Sequence, residues 1–493
     1  MNKKKALILG AGPTGLITAW KLLEAGWDVT IIEKNSIVGG LCRSWKSNGF
    51  VIDTGPHIFH TPDNTLKKFW KKHFADLLLE GKFSCKNVKG KNFDKYYDYP
   101  LSQEGLNKFD SELKKKIKLE IKTCNKNDLR HEAKSYKEYI DSFIGPTLRE
   151  MFFEKYPKKI WGIDTKSMTP DWAPNRIKFR QKILPFYHEE YAAVGKYGTG
   201  RIYERIKDKI IKLGGKIKLQ ETITNFIYEE KKIKLIKSNK KEYKIDNDTI
   251  VISSLPLSIT SRFLGKKNNL RFRGVCSVFL FYNQENILPK DHHWLYFDSD
   301  KVLFNRITEN KKLSKYLAPK KKSYLTAEIT YSSGDKFSRT NSREIIKKVI
   351  DQINQIKLVD KKKLIRTEIN YEPFVYPVQF YNYKNEIANV KSYVESFNNL
   401  FSIGASGEFN YADSQILFHK SFDLVNSLTN RFSDNTNDTK NFNARKAAIR
   451  GFAQYFKNKI FLLDSNNNLK IKKIQKIKKD LNNEHCLYFG FTD

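Results

Sequence analysis

The chain opens with a short apolar run and then changes to helical spacing. Ala6 to Leu9 is uninterrupted apolar sequence, which is typical of a strand buried on both faces of a parallel sheet. Leu16, Ala19, Trp20 and Leu23 recur at helical spacing, Gly26 predicts the end of that helix, and Asp28 to Ile32 predicts a second strand. The order strand, helix, strand predicts an α/β fold with a parallel, Rossmann-like sheet.

Three later segments have different patterns. Tyr136, Tyr139, Ile140, Phe143 and Ile144 follow helical spacing, and Gly145-Pro146 predicts the end of that helix. Between residues 265 and 395, alternating runs such as Val275 to Tyr282 predict an antiparallel sheet. After a polar linker from Ser433 to Lys440, the apolar positions from Ala448 to Ile460 predict an amphipathic helix. That helix could lie on an anionic membrane or a partner, or simply pack on the body of the protein.

Composition limits the classes of protein to consider. The 493 residues, 40% of them hydrophobic, are enough for two to four domains with a sizeable core. The 90 Lys and Arg against 54 Asp and Glu give a formal net charge of +36, which by itself suggests an acidic partner. The lysines, however, are scattered through almost every segment and form no basic stripe. This distribution argues against a nucleic-acid partner.

The cysteines and the amino end indicate a reducing compartment. The five cysteines include no C-x-x-C pair, so neither a disulfide framework nor a zinc ribbon is supported. The basic start from Met1 to Lys5 is followed by apolar sequence that Gly10, Gly12 and Pro13 interrupt, and no run approaches the roughly 20 apolar residues of a membrane span. We expect a soluble, cytoplasmic protein.

A dinucleotide-binding motif lies between the first strand and the first helix. The sequence Gly10-Ala11-Gly12-Pro13-Thr14-Gly15 matches G-x-G-x-x-G in its full strand-to-helix context. Gly10 suits a tight turn, Gly12 suits close approach of a pyrophosphate, and Gly15 suits close packing of helix on strand. Glu33 ends the second strand 18 residues after Gly15 and can accept hydrogen bonds from ribose hydroxyls.

The following segments resemble those of the flavin amine-oxidase superfamily. These segments are Asn35 to Leu41, with its Gly39-Gly40 pair, and Phe50 to His60, with Asp53-Thr54-Gly55. The superfamily includes amine oxidases, protoporphyrinogen oxidases and UDP-galactopyranose mutases, and the resemblance implies FAD as the cofactor. It places the glycine pair beside the ribityl chain and pyrophosphate, where side chains would obstruct the approach. The implied cofactor-binding residues are Gly10, Gly12, Pro13, Thr14, Gly15, Glu33, Gly39, Gly40, Leu41, Gly55, His57, Gly404 and Asp413.

One strand is most similar to the UDP-galactopyranose mutases. Gly55 to Thr61 resembles their Gly-x-His-Ile-Phe-His-Thr strand, which runs under the flavin ring. Because residues three apart point to opposite faces of a strand, His57 and His60 are not predicted to bind a metal together. For each histidine a catalytic role and a packed core role both stay open.

Two arginines resemble those with which the mutases hold a nucleotide diphosphate. Tyr156 to Ile163 and Asp171 to Ile177 resemble the mutase segment with a Tyr, a Lys-x-Trp-Gly and a paired arginine. Arg180, four residues after Arg176, matches one phosphate position, and Arg306 matches another by its strand context. Arginine suits this task because its planar guanidinium donates two parallel hydrogen bonds and stays charged.

A returning strand supplies the last part of the resemblance. Asn399 to Gly404 predicts a strand that ends at a glycine, and the mutase pattern after it reads Gly-Arg-x-x-Glu-x-x-Tyr-x-Asp. This chain keeps Gly404, Glu408, Tyr411 and Asp413 but has Ala405 in the place of the arginine. The loss of one charge-assisted phosphate contact costs about 1.5–3 kcal/mol of binding, so this departure counts against a mutase.

The resemblance implies a discontinuous domain organisation. It predicts a glutathione-reductase-type FAD-binding domain, a mainly helical cap, an antiparallel substrate sheet and a carboxyl-terminal extension. The predicted bounds, in that order, are residues 1–75 with about 205–264 and 395–430, then 102–200, then 265–395, then 433–493.

Three hypotheses about function follow. The first is a reduced-flavin mutase that acts on a nucleotide-linked sugar, as in polysaccharide biosynthesis, with His57, His60, Arg180, Arg306 and Tyr411 as its catalytic candidates and with an electron donor of unknown identity. The second is an FAD-dependent oxidoreductase of the amine oxidase or protoporphyrinogen oxidase type, which Ala405 favours. The third is a flavoprotein without catalysis or a protein associated with nucleic acid.

Overall fold

The computed structural model describes residues 3–124 and 133–433, together with the backbone of the antiparallel strands Lys459–Leu463 and Leu469–Lys473. The chain divides into two compact units, Met1–Asp423 and Leu424–Asp493. Most of the predicted linker after Ser433, and the predicted helix from Ala448 up to residue 458, lie outside the described residues. At Ile460 the helix prediction is wrong, because this residue lies in a strand.

A five-stranded parallel sheet forms the first layer. Its strands, in spatial order, are Lys216–Lys218, Asp28–Ile32, Lys5–Leu9, Thr249–Ser253 and Leu400–Ser402. The central strands are almost entirely buried, as their unbroken apolar sequences require. The α/β, Rossmann-like fold predicted from the sequence is confirmed.

Tight backbone packing explains the first strand–helix turn. Gly10 has a φ of +101°, which favours glycine, and a Cβ at Gly15 would overlap the carbonyl oxygen of Gly10. The helix Pro13–Glu24 therefore lies close against the strand that precedes it. Gly26, with a φ of +85°, follows the end of this helix.

Four small sheets flank the parallel sheet and the cavity described below. One sheet contains Ile223–Glu229, Lys232–Ser238 and Glu242–Lys244, and its apolar side shares a core with the parallel sheet. The other three are Ile58–Thr61 with Tyr191–Gly195 and Leu78–Glu80, the hairpin Ser44–Ser47 with Phe50–Asp53, and the pair Leu101–Ser102 with Phe179–Arg180.

A seven-stranded mixed sheet forms the second layer. Its strands, in spatial order, are Leu364–Pro377, Phe272–Tyr282, Ser323–Ser332, Arg306–Glu309, Trp294–Phe297, Cys85–Lys89 and Lys95–Tyr99. The sheet differs from the predicted antiparallel sheet of residues 265–395 in two ways. It recruits two strands from before residue 102, and Trp294–Phe297 pairs in parallel with Cys85–Lys89. The two recruited strands, CKNVK and KYYDY, do not alternate regularly between apolar and polar residues, so their sequences carry little strand signal.

Short helices pack against the strand Lys95–Tyr99 at the edge of the mixed sheet. The predicted helix spans Tyr136–Ile144 and is followed by Gly145 with a φ of +88°. Its neighbours are Ser111–Thr123, Pro146–Leu148, the π-helical turn Arg149–Phe153, Lys155–Trp161 and Ala173–Arg176. Together they bury a core that includes Ile117, Ile140, Phe152 and Trp161.

The remaining helices lie against the sheets or connect them. The α-helices are Asn64–Phe74, Gly200–Lys212, Leu257–Phe263, Asn310–Leu313, Ser342–Gln355, Tyr383–Glu395, Gly404–Gly407 and Ser414–Ser433. The 3₁₀ turns are Gly40–Cys42, Glu104–Lys108, Lys315–Leu317, Phe337–Arg339 and Lys361–Lys363. Among the helices in residues 3–124 and 133–433, none has the length and apolar character that crossing a membrane requires.

Candidate functional site

A cavity of about 640 Å³ begins at the carboxyl ends of the parallel strands. Three of those strands end directly before a lining residue, at Gly10, Glu33 and Ser254, and the strand Leu400–Ser402 ends two residues before another, Gly404. The cavity continues between the mixed sheet and the short helices, where its lining is largely aromatic. A crevice at the carboxyl ends of parallel strands is where ligands of open α/β sheets bind.

Most of the predicted site residues line this cavity. The lining includes Gly10, Gly12, Pro13, Thr14, Glu33, Gly40, Leu41, Gly55, His57, Arg306, Gly404, Tyr411 and Asp413. Four predicted residues are not among the described lining: Gly15, Gly39, His60 and Arg180.

The glycine-rich turn forms a cradle open to a ligand. Within the described residues, no side chain caps the helix that begins after Gly12, so its first N–H groups point into the cavity end. The nearest atom to a Cβ added at Gly12 is the Cα of Gly40, at 3.9 Å. An uncapped helix start beside bare backbone is a site for a phosphate group.

The second glycine turn packs directly on the first. The amide of Gly39 donates to the carbonyl oxygen of Ala11 at 2.8 Å, and a Cβ at Gly40 would lie 3.0 Å from the Cα of Gly12. Gly39 therefore does not line the cavity, but its hydrogen bond to Ala11 holds the next residues, Gly40 and Leu41, against the cradle.

Glu33 is buried at the end of the second strand. Its Oε2 accepts from the amide of Ala11 at 2.8 Å, and its Oε1 accepts from the backbone and side chain of Asn35, both at 2.8 Å. These bonds fix the carboxylate beside the cradle, and Oε2, which accepts only one of them, keeps a lone pair for another donor such as a ribose hydroxyl.

The returning segment closes the same end of the cavity. Gly404 has a φ of +96°, and a Cβ there would lie 2.7 Å from the hydroxyl of Thr14. Glu408 accepts from the amide of Gly404 at 3.2 Å and pairs with Lys420 at 2.7 Å. Gly404–Gly407 is a single helical turn, and Ala405 lines the cavity in the place of the mutase arginine.

His57 faces the cavity from the loop before the strand Ile58–Thr61. Its Nδ1 is buried and has no hydrogen-bond partner among the residues that the structure describes. Burial, and secondly the charge of Arg306, lower the pKa of His57 to about 4. The ring is therefore neutral near pH 7 and carries a polar atom available to a ligand.

This lowered pKa predicts that the folded protein loses stability in acid. Below pH 6.5 the unfolded chain binds a proton at His57 and the folded chain does not, so stability is lost as pH falls towards 4. We expect the free energy of unfolding, relative to that of His57→Asn, to drop by about 2–3 kcal/mol between pH 7 and pH 4. Urea titrations at several pH values measure this difference.

The comparison with the variant is needed because Asp53 acts in the opposite direction. Burial raises the pKa of Asp53 to about 6, so its contribution to stability is lost as pH rises. Subtracting the two curves removes that contribution. A difference that does not change with pH would contradict the lowered pKa of His57.

His60 is not among the described residues that line the cavity, but its ring contacts two residues that do. Its Nδ1 lies 2.7 Å from Glu190 Oε2, its Nε2 lies 3.5 Å from Asp413 Oδ2, and its ring stacks on Tyr187. Burial opposes the charged ring, but the two carboxylates outweigh it and raise the pKa of His60. His60 therefore reaches the cavity through Asp413, and a direct catalytic role stays a prediction.

Arg306 lines the cavity as part of an ion pair. Its Nε pairs with Oε2 of Glu328, and its Nη2 donates to Oε1 of Glu328 at 2.7 Å. Burial alone would lower the pKa of Arg306, but the adjacent Glu328 raises it. The guanidinium is thus held in one orientation and stays charged at any working pH.

The structure does not bring Arg180 to the cavity wall. Its guanidinium donates to the carbonyl oxygens of Pro185 at 2.7 Å and Phe186 at 2.9 Å. Those bonds arise because the chain turns back over the side chain within six residues. A phosphate contact from Arg180 requires it to leave them, and that role stays a prediction.

Several lining residues had no individual prediction from sequence. They are Asn87, Tyr99, Phe152, Tyr156, Trp161, Trp294, Tyr296, Glu328, Glu372 and Tyr376. Tyr156 and Trp161 belong to a recognised motif, so that signal could have identified them. Most of the others reach the cavity through strand register, which the sequence does not reveal.

The cradle fits the phosphates and ribose of a dinucleotide. An uncapped helix start, bare glycine backbone and a fixed carboxylate meet at one end of the cavity. Within residues 3–124 and 133–433, no group of three or more His, Cys, Asp or Glu side chains is arranged to hold a metal ion.

Comparison with known proteins agrees with this geometry. The family model of flavin containing amine oxidoreductases matches residues 13–376. A probable UDP-galactopyranose mutase from Klebsiella pneumoniae is 26% identical over 225 residues, which cover 42% of this chain and 54% of that protein. The dTDP-fucopyranose mutase of Escherichia coli is 29% identical over 168 residues, which cover 33% of this chain and 43% of that protein. The chain thus spans about half the length of the curated relatives it matches.

Solved structures show the same fold. A crystal structure of reduced UDP-galactopyranose mutase has a TM-score of 0.73 at 19% identity and covers 87% of this chain and 94% of its own. A putative protoporphyrinogen oxidase from Exiguobacterium sp. 255-15 has a TM-score of 0.68 at 14% identity and covers 87% of this chain and all of its own. The resemblance inferred from the motifs is confirmed, and the cofactor of this enzyme is a flavin. This chain belongs to the family of flavin containing amine oxidoreductases.

Proposed function

We propose that this protein is an FAD-dependent enzyme that rearranges the sugar ring of a nucleotide-linked sugar, with its flavin in the reduced state. One observation carries the proposal: the cavity that begins at the dinucleotide cradle also holds a fixed arginine and a set of tyrosines. Matches to two sugar-nucleotide mutases support it.

The tyrosines suit the recognition of a sugar diphosphate. Tyr156, Tyr296 and Tyr376 line the cavity, and burial, the largest cause, raises the pKa of each. Their hydroxyls therefore stay protonated and can donate to phosphate or sugar oxygens. Tyr411 lines the same cavity, packed edge-on against Trp161 at 6.0 Å.

The cradle residues would hold the cofactor. Gly10, Gly12 and Thr14 would receive the pyrophosphate, Glu33 the ribose, and Gly40 with His57 the part nearer the flavin ring. Reduced FAD bound there supplies an electron-rich ring that can act as a nucleophile and be regenerated.

The chain's own residues would orient the substrate and stabilise charge. Arg306 would bind the diphosphate as it departs from the sugar, because its guanidinium is preorganised by Glu328. His57, neutral at pH 7, would offer a hydrogen bond without adding charge beside the ring. The aromatic walls would exclude water from the reacting sugar.

An anaerobic assay tests the proposal. The FAD-loaded protein is reduced with dithionite, offered UDP-galactopyranose or dTDP-fucopyranose, and compared with the oxidised protein by chromatography of the products. We expect ring-size conversion by the reduced protein alone, with no net use of reductant. Absence of conversion of both sugars by the reduced, FAD-loaded protein would rule out this substrate pair.

A net oxidoreductase is the second candidate, and specific observations favour it. The side chain of Ala405 has no hydrogen-bond donor for a phosphate, Arg306 already pairs with Glu328, and Arg180 is bonded to backbone carbonyls. A cavity whose arginines are already bonded to other groups of the protein suits a substrate with less negative charge than a diphosphate. Under this reading the oxidised flavin is bleached by substrate, so a screen with oxidised protein identifies it.

A further inference from the structure

A half-buried lysine that is not among the described lining residues connects two segments of the cavity wall. The ammonium of Lys159 donates to the carbonyl oxygens of Val302 and Phe304, both at 2.7 Å, and of Ser299 at 3.1 Å. Lys159 belongs to the helix Lys155–Trp161, and the three carbonyls belong to the loop that precedes Arg306.

The backbone of the same helix is held from the other direction. The carbonyl oxygen of Lys159 accepts from Thr330 Oγ1 at 2.6 Å and from Arg273 Nη2 at 3.1 Å. Arg273 Nε also donates to the carbonyl oxygen of Ile160 at 3.1 Å. Two strands of the mixed sheet therefore hold the end of the helix.

Both joined segments carry residues of the cavity. The helix supplies Tyr156 and Trp161 to the lining, and the loop leads within two residues from Phe304 to Arg306. The ammonium of Lys159 thus joins the helix that carries Trp161 directly to the loop that leads to Arg306, in addition to the contacts that Thr330 and Arg273 make with the helix backbone.

We infer that Lys159 is a positioning residue that sets the separation between Trp161 and Arg306 and so controls how the cavity receives the diphosphate end of its ligand. The inference rests on the proposed function for the identity of that ligand. The attachment of the helix by Lys159 does not depend on the proposed function, and it is tested separately below.

The charge state of Lys159 matters because three carbonyls need three N–H donors. A neutral amine has two donors and a lone pair, so one carbonyl would lose its bond and face that lone pair. Burial lowers the pKa of Lys159 to about 8, against the opposing attraction of Asp300 and Asp298. The third contact is thus present below about pH 8 and lost above it.

The other charged groups around this site are mostly paired. Asp298 pairs with Lys89, and Arg273 is bonded to the helix backbone and to Ser332. Asp335 lies near Arg273, raising the pKa of its guanidinium against the larger effect of burial. A pH effect at Lys159 can therefore be separated from its surroundings by changing Lys159 alone.

Binding of UDP tests the role in ligand reception. Purified FAD-loaded protein is titrated with UDP and followed by tryptophan fluorescence at pH 7 and pH 9. We expect Lys159→Met to weaken UDP binding about tenfold or more at pH 7. We expect wild type to weaken from pH 7 to pH 9, and Lys159→Arg, which stays charged, to weaken less.

Lys158→Met is the matched control. Lys158 is the adjacent residue, its side chain is 61% exposed, and it pairs with Asp164 at 3.6 Å. Its replacement removes the same charge from the same helix and is expected to leave UDP binding within about twofold of wild type. Equal binding by Lys159→Met and wild type, or equal pH dependence of wild type and Lys159→Arg, overturns the inference.

Quenching of Trp161 separates this inference from the proposed function. Trp161 is 3% exposed, and its emission is isolated by comparing each protein with the same protein carrying Trp161→Phe. We expect acrylamide to quench Trp161 more strongly in Lys159→Met than in Lys158→Met. If wild type fails to bind UDP but this quenching difference is found, the proposed ligand is wrong and the attachment of the helix stands.

Unfolding of Lys159→Met would be recognised by near-UV circular dichroism. In that case the decision passes to Lys159→Arg, whose Trp161 quenching should not rise between pH 7 and pH 9 while that of wild type does. Equal rises in the two proteins overturn the inference.

Discussion

Replacing Arg306 with methionine should lower kcat/KM for the nucleotide sugar by about two orders of magnitude. It should also lower the free energy of unfolding by about 3 kcal/mol, because Glu328 is left charged and buried without its partner. The side chain of Glu328 is only 7% exposed, and its Oε1 would lie 3.2 Å from a Cβ at Gly55. Steady-state kinetics and urea unfolding of the same preparation measure the two effects.

A double-mutant cycle separates the two roles of the arginine. Arg306→Met with Glu328→Gln removes both charges, so we expect most of the stability to return while the activity stays low. Activity that returns with the stability would show that Arg306 serves the fold and not the substrate.

Arg366→Met is the matched control for this cycle. Arg366 has the same 22% exposed side chain and also pairs with a glutamate, Glu368, but it is not among the described residues that line the cavity. We expect its replacement to leave kcat/KM within about twofold of wild type. A loss comparable to that of Arg306→Met would indicate a general effect of lost charge.

The parts of the site that could be predicted from sequence are those dictated by local backbone geometry. Gly10 and Gly404 adopt left-handed conformations, and Gly12 leaves the start of a helix open. Each of these backbone requirements restricts the residue type at one position, so the motif can be recognised in the sequence. Glu33 is visible for a similar reason, since a strand end fixes where its carboxylate lies.

Residues placed by long-range register could not be predicted. Arg306 and Glu328 are direct partners on neighbouring strands, but nothing in the sequence gives that alignment. The strand Cys85–Lys89 pairs with Trp294–Phe297, about two hundred residues later, and brings Asn87 into the cavity. Only the structure of the folded sheet shows that these residues lie near one another.

Arg180 shows a different limit of sequence reasoning. Its position matches the motif, but the motif says nothing about nearby carbonyl oxygens that also accept from a guanidinium. The turn from Leu184 to Phe186 supplies those acceptors, and the structure shows the side chain bonded to them. A matching position therefore identifies a candidate, and the local hydrogen bonds decide whether it is available.

The second large effect concerns the cofactor cradle. Gly12→Ser should weaken FAD binding about a hundredfold, because a side chain would stand where the pyrophosphate approaches and its hydroxyl would cap the helix start. The apoprotein should keep its stability within about 0.5 kcal/mol. Gly12 has φ −73° and ψ 179°, which any residue adopts, and the nearest atom to its new Cβ is at 3.9 Å. Reconstitution with FAD, followed by flavin fluorescence, measures the affinity.

Two neighbouring glycines show why this contrast is informative. Gly15→Ala should destabilise the apoprotein by about 3 kcal/mol, because its Cβ would overlap the carbonyl oxygen of Gly10 and force the helix from the strand. Gly26→Ala strains a φ of +85°, but within the described residues a Cβ there meets no atom within 4 Å, so it should cost about 1 kcal/mol and keep FAD. FAD affinity that follows stability across the three variants would mean that the glycines serve only the fold. Loss of FAD by Gly12→Ser at unchanged stability requires instead that the cofactor lies against the backbone of Gly12.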